Sequence, residues 1–326
     1  MSDVAPLTLN EISDAEAILA DQTIRTPVLD LRQTGLERLL PEGASVQMKM
    51  ELFQKAGSFK ARGNYLSVHA LSPEERSKGV VAASGGNHAL ALSWAARAAG
   101  VSAKIAVPRA ADPIRIQGCE ALGAEVILCD TIGAAFETMQ EIAEDEVRAL
   151  VHPFEGRLMS LGAATCGKEF FEDARAMDIV VLPVGGGGLI SGMASALKLL
   201  NPRLKIYGVE PFGADTMFRS FEAGSPQSIS QVDTIADSLG APMAMPISYA
   251  LTRANVDGIV RVSDDALVST MRIMSESLNL LPEPACAAAL TAVLGPLHED
   301  CKGKSVGVIA CGANISLSKF NAILES

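Results

Sequence analysis

The chain has 326 residues, 48% of them hydrophobic, which is enough to bury the cores of two domains of roughly 150 residues each. Its 27 basic against 38 acidic residues, a formal net charge of -11, argue against nucleic acid or an anionic membrane as the default partner, since both require basic patches. No run approaches the roughly 20 apolar residues of a membrane span, the first residues do not read as a signal peptide, and six scattered cysteines lack C-x-x-C spacing, so reduced thiols in a cytoplasmic protein without a zinc site are expected.

In chain order, residues 11–22 carry Ile12, Ala15, Ile18 and Leu19 on one helical face and predict a first helix, ended by Thr26-Pro27-Val28. Val46–Met50 alternates like a strand. From Gly79 the pattern becomes strand, turn and helix in succession: Gly79–Ala83, then Ser84-Gly85-Gly86-Asn87-His88, then an Ala-rich helix over Ala89–Ala99. Strands over Ser102–Val107 and Glu125–Cys129 alternate with helices over Pro113–Leu122 and Phe136–Val147. After His152-Pro153-Phe154 the order resumes with a helix at 162–174, a strand over Ile179–Pro183, four glycines from Gly185, and a helix to Leu200. Lys205–Val209 reads as a strand, 222–258 gives no clear period, and Val260–Val262 is extended. Helices over Asp264–Leu278 and Ala285–Leu294 and a strand over Ser305–Ala310 complete the pattern. Such alternation predicts an α/β fold of parallel sheets covered by helices.

Lys60, in Ser58-Phe59-Lys60-Ala61-Arg62-Gly63, falls at the start of a helix, where the partial positive charge of the N-terminus opposes a cation and favours a neutral, nucleophilic amine. Gly185-Gly186-Gly187-Gly188-Leu189 follows a buried strand and precedes a helix, which suits a terminal phosphate held by backbone N–H groups. It matches neither the dinucleotide fingerprint nor a P-loop; the alternative is a flexible turn. Ser84–His88 by itself is ordinary turn chemistry, and Cys311 by itself is a small buried hydrophobe. All three features end predicted parallel strands, where open α/β sheets bind ligands.

Together with Cys311-Gly312-Ala313-Asn314, these motifs resemble, in order and spacing, the pyridoxal-phosphate enzymes of fold type II, in the serine/threonine dehydratase group with its serine racemase relatives. The resemblance spans nearly the whole chain. It implies a large cofactor-binding domain (1–74 and 151–326) with a small domain (75–150) inserted. It further implies that Lys60 forms the imine with the cofactor aldehyde, Phe59 packs beside the ring, Gly185 to Leu189 hold the phosphate, Asn87 bonds the ring hydroxyl, and Cys311 faces the pyridine nitrogen. Ser84, Gly85, Gly86, Asn87 and His88 would bind substrate. Glu283 would stand near the cofactor, although it also reads as a helix-start carboxylate. A thiol is a weak partner for the nitrogen and makes the ring a weaker electron sink, which suits β-elimination.

The implied activity is that of an ammonia-lyase acting on a small-molecule β-hydroxy amino acid. Lys60 removes the α-proton, the hydroxyl leaves with a proton from the cofactor phosphate, and a 2-oxo acid and ammonia result. A homodimer without a C-terminal regulatory domain is expected. The rivals are a racemase or β-replacement enzyme of the same fold, and a non-catalytic cofactor-binding protein. Three positions depart from the pattern. Gly85 stands where racemases have a second catalytic serine. Glu210 and Ala214 match two ligands of a divalent-cation site (Mg²⁺ or Ca²⁺), but Thr216 replaces the final acid. Gly162-Ala163-Ala164-Thr165 replaces the common Gly-Gln-Gly-Thr.

Overall fold

A computed structural model describes residues 4–325. Its ten strands are β1 (Val28–Asp30), β2 (Ser45–Lys49), β3 (Val80–Ala83), β4 (Ala103–Pro108), β5 (Glu125–Cys129), β6 (Ala149–Leu150), β7 (Ile179–Pro183), β8 (Lys205–Pro211), β9 (Gly258–Val262) and β10 (Ser305–Ile309). Six form one sheet in the order β1-β2-β10-β7-β8-β9, and four form a second in the order β5-β4-β3-β6. All pairings are parallel except β1 with β2 at the edge of the larger sheet. β3, β7 and β10 read as continuous apolar runs because helices cover both faces of a parallel sheet, and their hydrophobic residues are buried accordingly.

The expected helices are present with shifted ends. The first spans Leu9–Leu19, set by a reciprocal Thr8–Glu11 capping box. The Ile132–Asp145 helix starts four residues earlier than its apolar period, because the Thr131 hydroxyl caps it through the Ala134 N–H. The helix expected at 162–174 spans Arg157–Asp173. The unread stretch 222–258 contains the Pro246–Asn255 helix, begun by a proline in its first turn.

Three helices pack behind the turn that carries Lys60: Lys60–His69, Arg157–Asp173 and Gly188–Leu200. Here Gly162-Ala163-Ala164-Thr165 acquires a physical account. A Cβ on Gly162 would overlap the Gly63 backbone, so the two helices cross at bare backbone. Thr165, one turn on, accepts a hydrogen bond from Arg62 Nη1 at 3.2 Å. The stretch thus positions the helix of Lys60 through packing.

Candidate active site

Lys60 is the first residue of its helix, and Phe59 occupies the cap position. The chain reaches it through Ser58, which bridges to Gly312, and through the Phe59 N–H, which donates to the Cys311 carbonyl at 3.1 Å. Lys60 is therefore clamped against the C-terminal end of β10. Its Nζ donates to the Pro153 carbonyl and lies 5.2 Å from the centre of the Phe59 ring. Burial lowers the amine to about 8; Cys311 and Glu283 act in the opposite direction.

The Gly185–Leu189 turn leaves β7 and enters the Gly188–Leu200 helix, whose first N–H groups have no intrahelical acceptor. A Cβ on Gly186 would overlap the ring of Phe154, and one on Gly188 would lie 3.0 Å from the Phe154 carbonyl oxygen. Bare backbone is thus the only surface this turn presents to Phe154. Gly186→Ala is expected to cost about 1–3 kcal/mol, the range for overpacking a filled site. Thermal melting checks this; an unchanged melting temperature would show that Phe154 yields freely.

Asn87 begins the Asn87–Ala98 helix and is held on both sides. Its Nδ2 donates to Glu283 Oε1 at 2.5 Å, and its Oδ1 accepts from Asn314 Nδ2 at 2.7 Å. Glu283 is fully buried; burial pushes its carboxyl up, against the pull of Arg115. The Ser84 hydroxyl accepts from the Gly86 N–H at 3.1 Å and shapes the turn. His88 is 2.9 Å from the Val151 carbonyl through Nε2, and burial pushes its imidazole down to about 3, so it is neutral. Cys311 is buried, and burial raises its thiol well above the ordinary value, leaving it neutral.

Several groups at this site had no sequence signal. Pro153 and Phe154 read only as the point after which the strand–helix order resumes. Arg115, on the Pro113–Ala121 helix, donates to the Asn314 carbonyl at 2.7 Å and to Asp237 Oδ2 at 2.9 Å, and lies 3.4 Å from Glu283 Oε2. Nothing local distinguishes it from a surface arginine.

The donor set at Glu210 does not fit a metal. Its oxygens accept the N–H groups of Met217 and Phe218 at 2.9 and 2.7 Å, and burial pushes its carboxyl up to about 8. Asp215 is ion-paired with Arg219 and Arg261, and Ala214 and Thr216 are buried beside it. Among the described residues no group of three His, Cys, Asp or Glu is arranged to hold an ion. Glu210, which with Ala214 matched two ligands of a Mg²⁺ or Ca²⁺ site lacking its final acid at Thr216, is thus already engaged by backbone N–H groups.

The residues around Lys60 do fit pyridoxal phosphate. A lysine amine of lowered basicity lines a small cavity with Gly188 at the helix start, a neutral thiol lies close by, and among the described residues the buried Ser58 hydroxyl has no hydrogen-bond partner. Comparison with known proteins agrees. Residues 19–312 match the family model described as pyridoxal-phosphate dependent enzyme. The chain is similar to a phenylserine dehydratase of Ralstonia pickettii, 44% identical over 312 residues that cover 96% of this chain and 94% of the relative. It is 36% identical over 322 residues to an L-threonine ammonia-lyase of Thermotoga maritima, covering 98% of this chain and 78% of the relative. The structure of maize serine racemase superposes with a TM-score of 0.90 at 32% identity, covering 98% of each chain. With a family match over most of its length and a fold shared nearly end to end, the chain belongs to the pyridoxal-phosphate-dependent enzymes of fold type II.

Proposed function

We propose that the protein is an ammonia-lyase that removes water from a β-hydroxy amino acid by α,β-elimination, yielding a 2-oxo acid and ammonia. The observation that carries this reading is Lys60, an amine that burial lowers to about 8 and that lies against the Pro153 carbonyl beside Phe59. When bound, pyridoxal phosphate withdraws electrons from the α-carbon of the amino acid. Lys60 takes the α-proton as general base, helped by a basicity near the working pH. Gly185 to Leu189 would hold the cofactor phosphate by backbone N–H groups at the helix start. Asn87, pinned by Glu283 and Asn314, would bond the ring hydroxyl, and Phe59 would pack beside the ring. The neutral Cys311 thiol would face the pyridine nitrogen without enforcing its charge. Ser84 to His88 receive the substrate. Two of the relatives named above carry dehydratase or ammonia-lyase activity in their names, in keeping with this reading.

Elimination is set above racemisation by Gly85. Inversion needs a proton donor on the face opposite Lys60, and glycine has none. A Cβ there would meet Ala111 Cβ at 3.0 Å and Pro108 Cγ at 3.1 Å, so even a serine at 85 requires those neighbours to shift. Incubation with L-serine, L-threonine, phenylserine and 3-hydroxyaspartate tests the proposal. A 2-oxo acid is expected from at least one of them, with the product of inversion at its α-carbon forming slower by about 10²-fold or more, the benefit of a placed acid. Equal rates of α-carbon inversion and 2-oxo acid formation would overturn the assignment.

The division into residues 75–150 and the remainder is supported by the separate four-stranded sheet and its own buried core around Ile105 and Leu92. Six buried free thiols favour a reducing cytoplasm. No helix among the described residues is long and apolar enough to cross a membrane. The assembly we expect is a homodimer, measurable by light scattering.

A further inference from the structure

The position that matches part of a metal site is occupied in another way. Arg261 on β9 stands opposite Glu210 on β8 in the parallel register. Its Nη1 pairs with Asp215 Oδ2 at 2.8 Å. Its guanidinium carbon lies 3.8 Å from the centre of the Phe218 ring and 5.0 Å from that of Phe212. We propose that Arg261 is a resident cation that organises the Glu210–Phe218 turn without any divalent ion, and that through Met217 this turn supports the glycine loop of the active site.

The geometry carries this. The buried Asp215 faces two guanidinium groups, Arg219 and Arg261. Asp215 gives one oxygen to each arginine, at 2.6 and 2.8 Å. Glu210 spends both of its oxygens on the backbone of the Thr216–Ala223 helix. A divalent ion at Glu210 would sit beside the Arg261 guanidinium paired with Asp215 and be repelled by it. The delocalised guanidinium, by contrast, is suited to stacking on aromatic rings while pairing with a carboxylate. The link to the active site is Met217. It is fully buried, its N–H is held by Glu210, and its Cε would lie 2.9 Å from a Cβ on Gly187. Met217 is therefore a wall of the turn that follows β7. Loosening Arg261 frees that wall.

The test uses the full chain with and without pyridoxal phosphate, so it stands whatever reaction the loaded enzyme performs. Melting of wild-type apoprotein is expected to move by less than about 1 °C between EDTA and millimolar Mg²⁺ or Ca²⁺, since an ion that does not bind cannot stabilise. Arg261→Met is expected to melt lower by about 3 °C or more and to bind pyridoxal phosphate about 5-fold or more weakly by fluorescence titration, a loosened wall costing the cofactor part of its hold. Arg261→Lys keeps the charge without the planar stack and falls between the two; it supplies the measurement if the methionine variant does not fold. Arg261→Ala combined with Thr216→Asp removes the resident cation and adds an acid, and its melting is expected to rise with Mg²⁺ or Ca²⁺. The proposal is overturned if either ion raises wild-type melting by more than about 2 °C. It is also overturned if Arg261→Met or Arg261→Lys matches wild type in both melting and cofactor affinity.

Discussion

Lys60→Ala is expected to lower turnover by about 10⁴-fold or more, the upper end of what loss of a placed base costs, and to abolish covalent capture of the cofactor as well. Borohydride treatment followed by mass spectrometry should add the cofactor to the wild-type chain and leave the variant's mass unchanged. The fold should survive. Among the described residues the Lys60 amine donates to the Pro153 carbonyl alone, and the buried Glu283 keeps Arg115 and Asn87 as partners when the amine is removed. Far-ultraviolet dichroism matching wild type, with turnover lost, is the expected pair of results. Turnover retained, or the cofactor still fixed to the variant, would remove Lys60 from the chemistry and with it the proposed reaction.

The largest expected stability effect lies two residues further on. Arg62 is fully buried and donates to Glu51 through Nε and Nη2, both at 2.9 Å, and to Glu169 through Nη1 and Nη2, both at 2.8 Å. Lys49, equally buried, adds a 3.0 Å pair to Glu169, and the Thr26 hydroxyl donates to Glu51 at 2.6 Å. Two cations and two carboxylates thus neutralise one another out of water. Such a cluster is weak evidence for net stability against an apolar replacement, but breaking it by one member leaves a charge uncompensated, typically at about 3–5 kcal/mol. Arg62→Met should therefore lower the apparent melting temperature by roughly 5–10 °C. Arg62→Lys should recover only part of this, because an ammonium cannot bond two carboxylates in fork geometry. Burial alone would raise the Glu51 carboxyl, yet Arg62 holds it below its ordinary 4.5. Its contribution is then present at neutral pH and lost as pH falls through that value and below, so the gap between wild type and Arg62→Met should narrow on acidification. A gap that stayed constant down to acid unfolding would mean the network is not the source. Because Arg62 shares the first turns of the helix with Lys60, turnover should also fall by more than the folded fraction explains.

Much of this protein could be read locally. Period and turn chemistry are properties of neighbouring residues, so the strands Val80–Ala83, Ile179–Pro183 and Ser305–Ile309 and the helices after the two glycine turns were predicted close to where they lie. The same holds for Lys60 at a helix start and for four glycines between a buried strand and a helix, since both depend on fewer than ten consecutive residues. Helix ends were less well placed where a capping side chain sat outside the apolar period, as Thr131 does. The stretch 222–258 was unreadable because its helix is short, begun by proline, and held by distant groups: the Ile247 N–H donates to Glu155, 92 residues away, at 2.7 Å.

What only the tertiary structure decided are contacts whose partners are far apart in sequence, for which no local pattern exists. Lys60 finds Pro153 across 93 residues, Arg115 finds Asp237 across 122, and Arg62 finds Glu169 across 107. Gly162 was legible as one residue of a stretch that departs from a family pattern at Ala163 and Ala164, but its own reason appeared only when its helix was seen to cross Gly63. Glu210 and Thr216 invited a partial metal site because ligand type can be read from sequence, whereas competition for those ligands cannot. Arg261, 51 residues beyond Glu210, lies opposite it only because β8 and β9 pair in parallel. Local sequence determines backbone conformation and the chemistry each side chain can offer. Which charges meet, and which are left to meet a ligand, is settled by the packing of sheets and helices that brings them within hydrogen-bond reach.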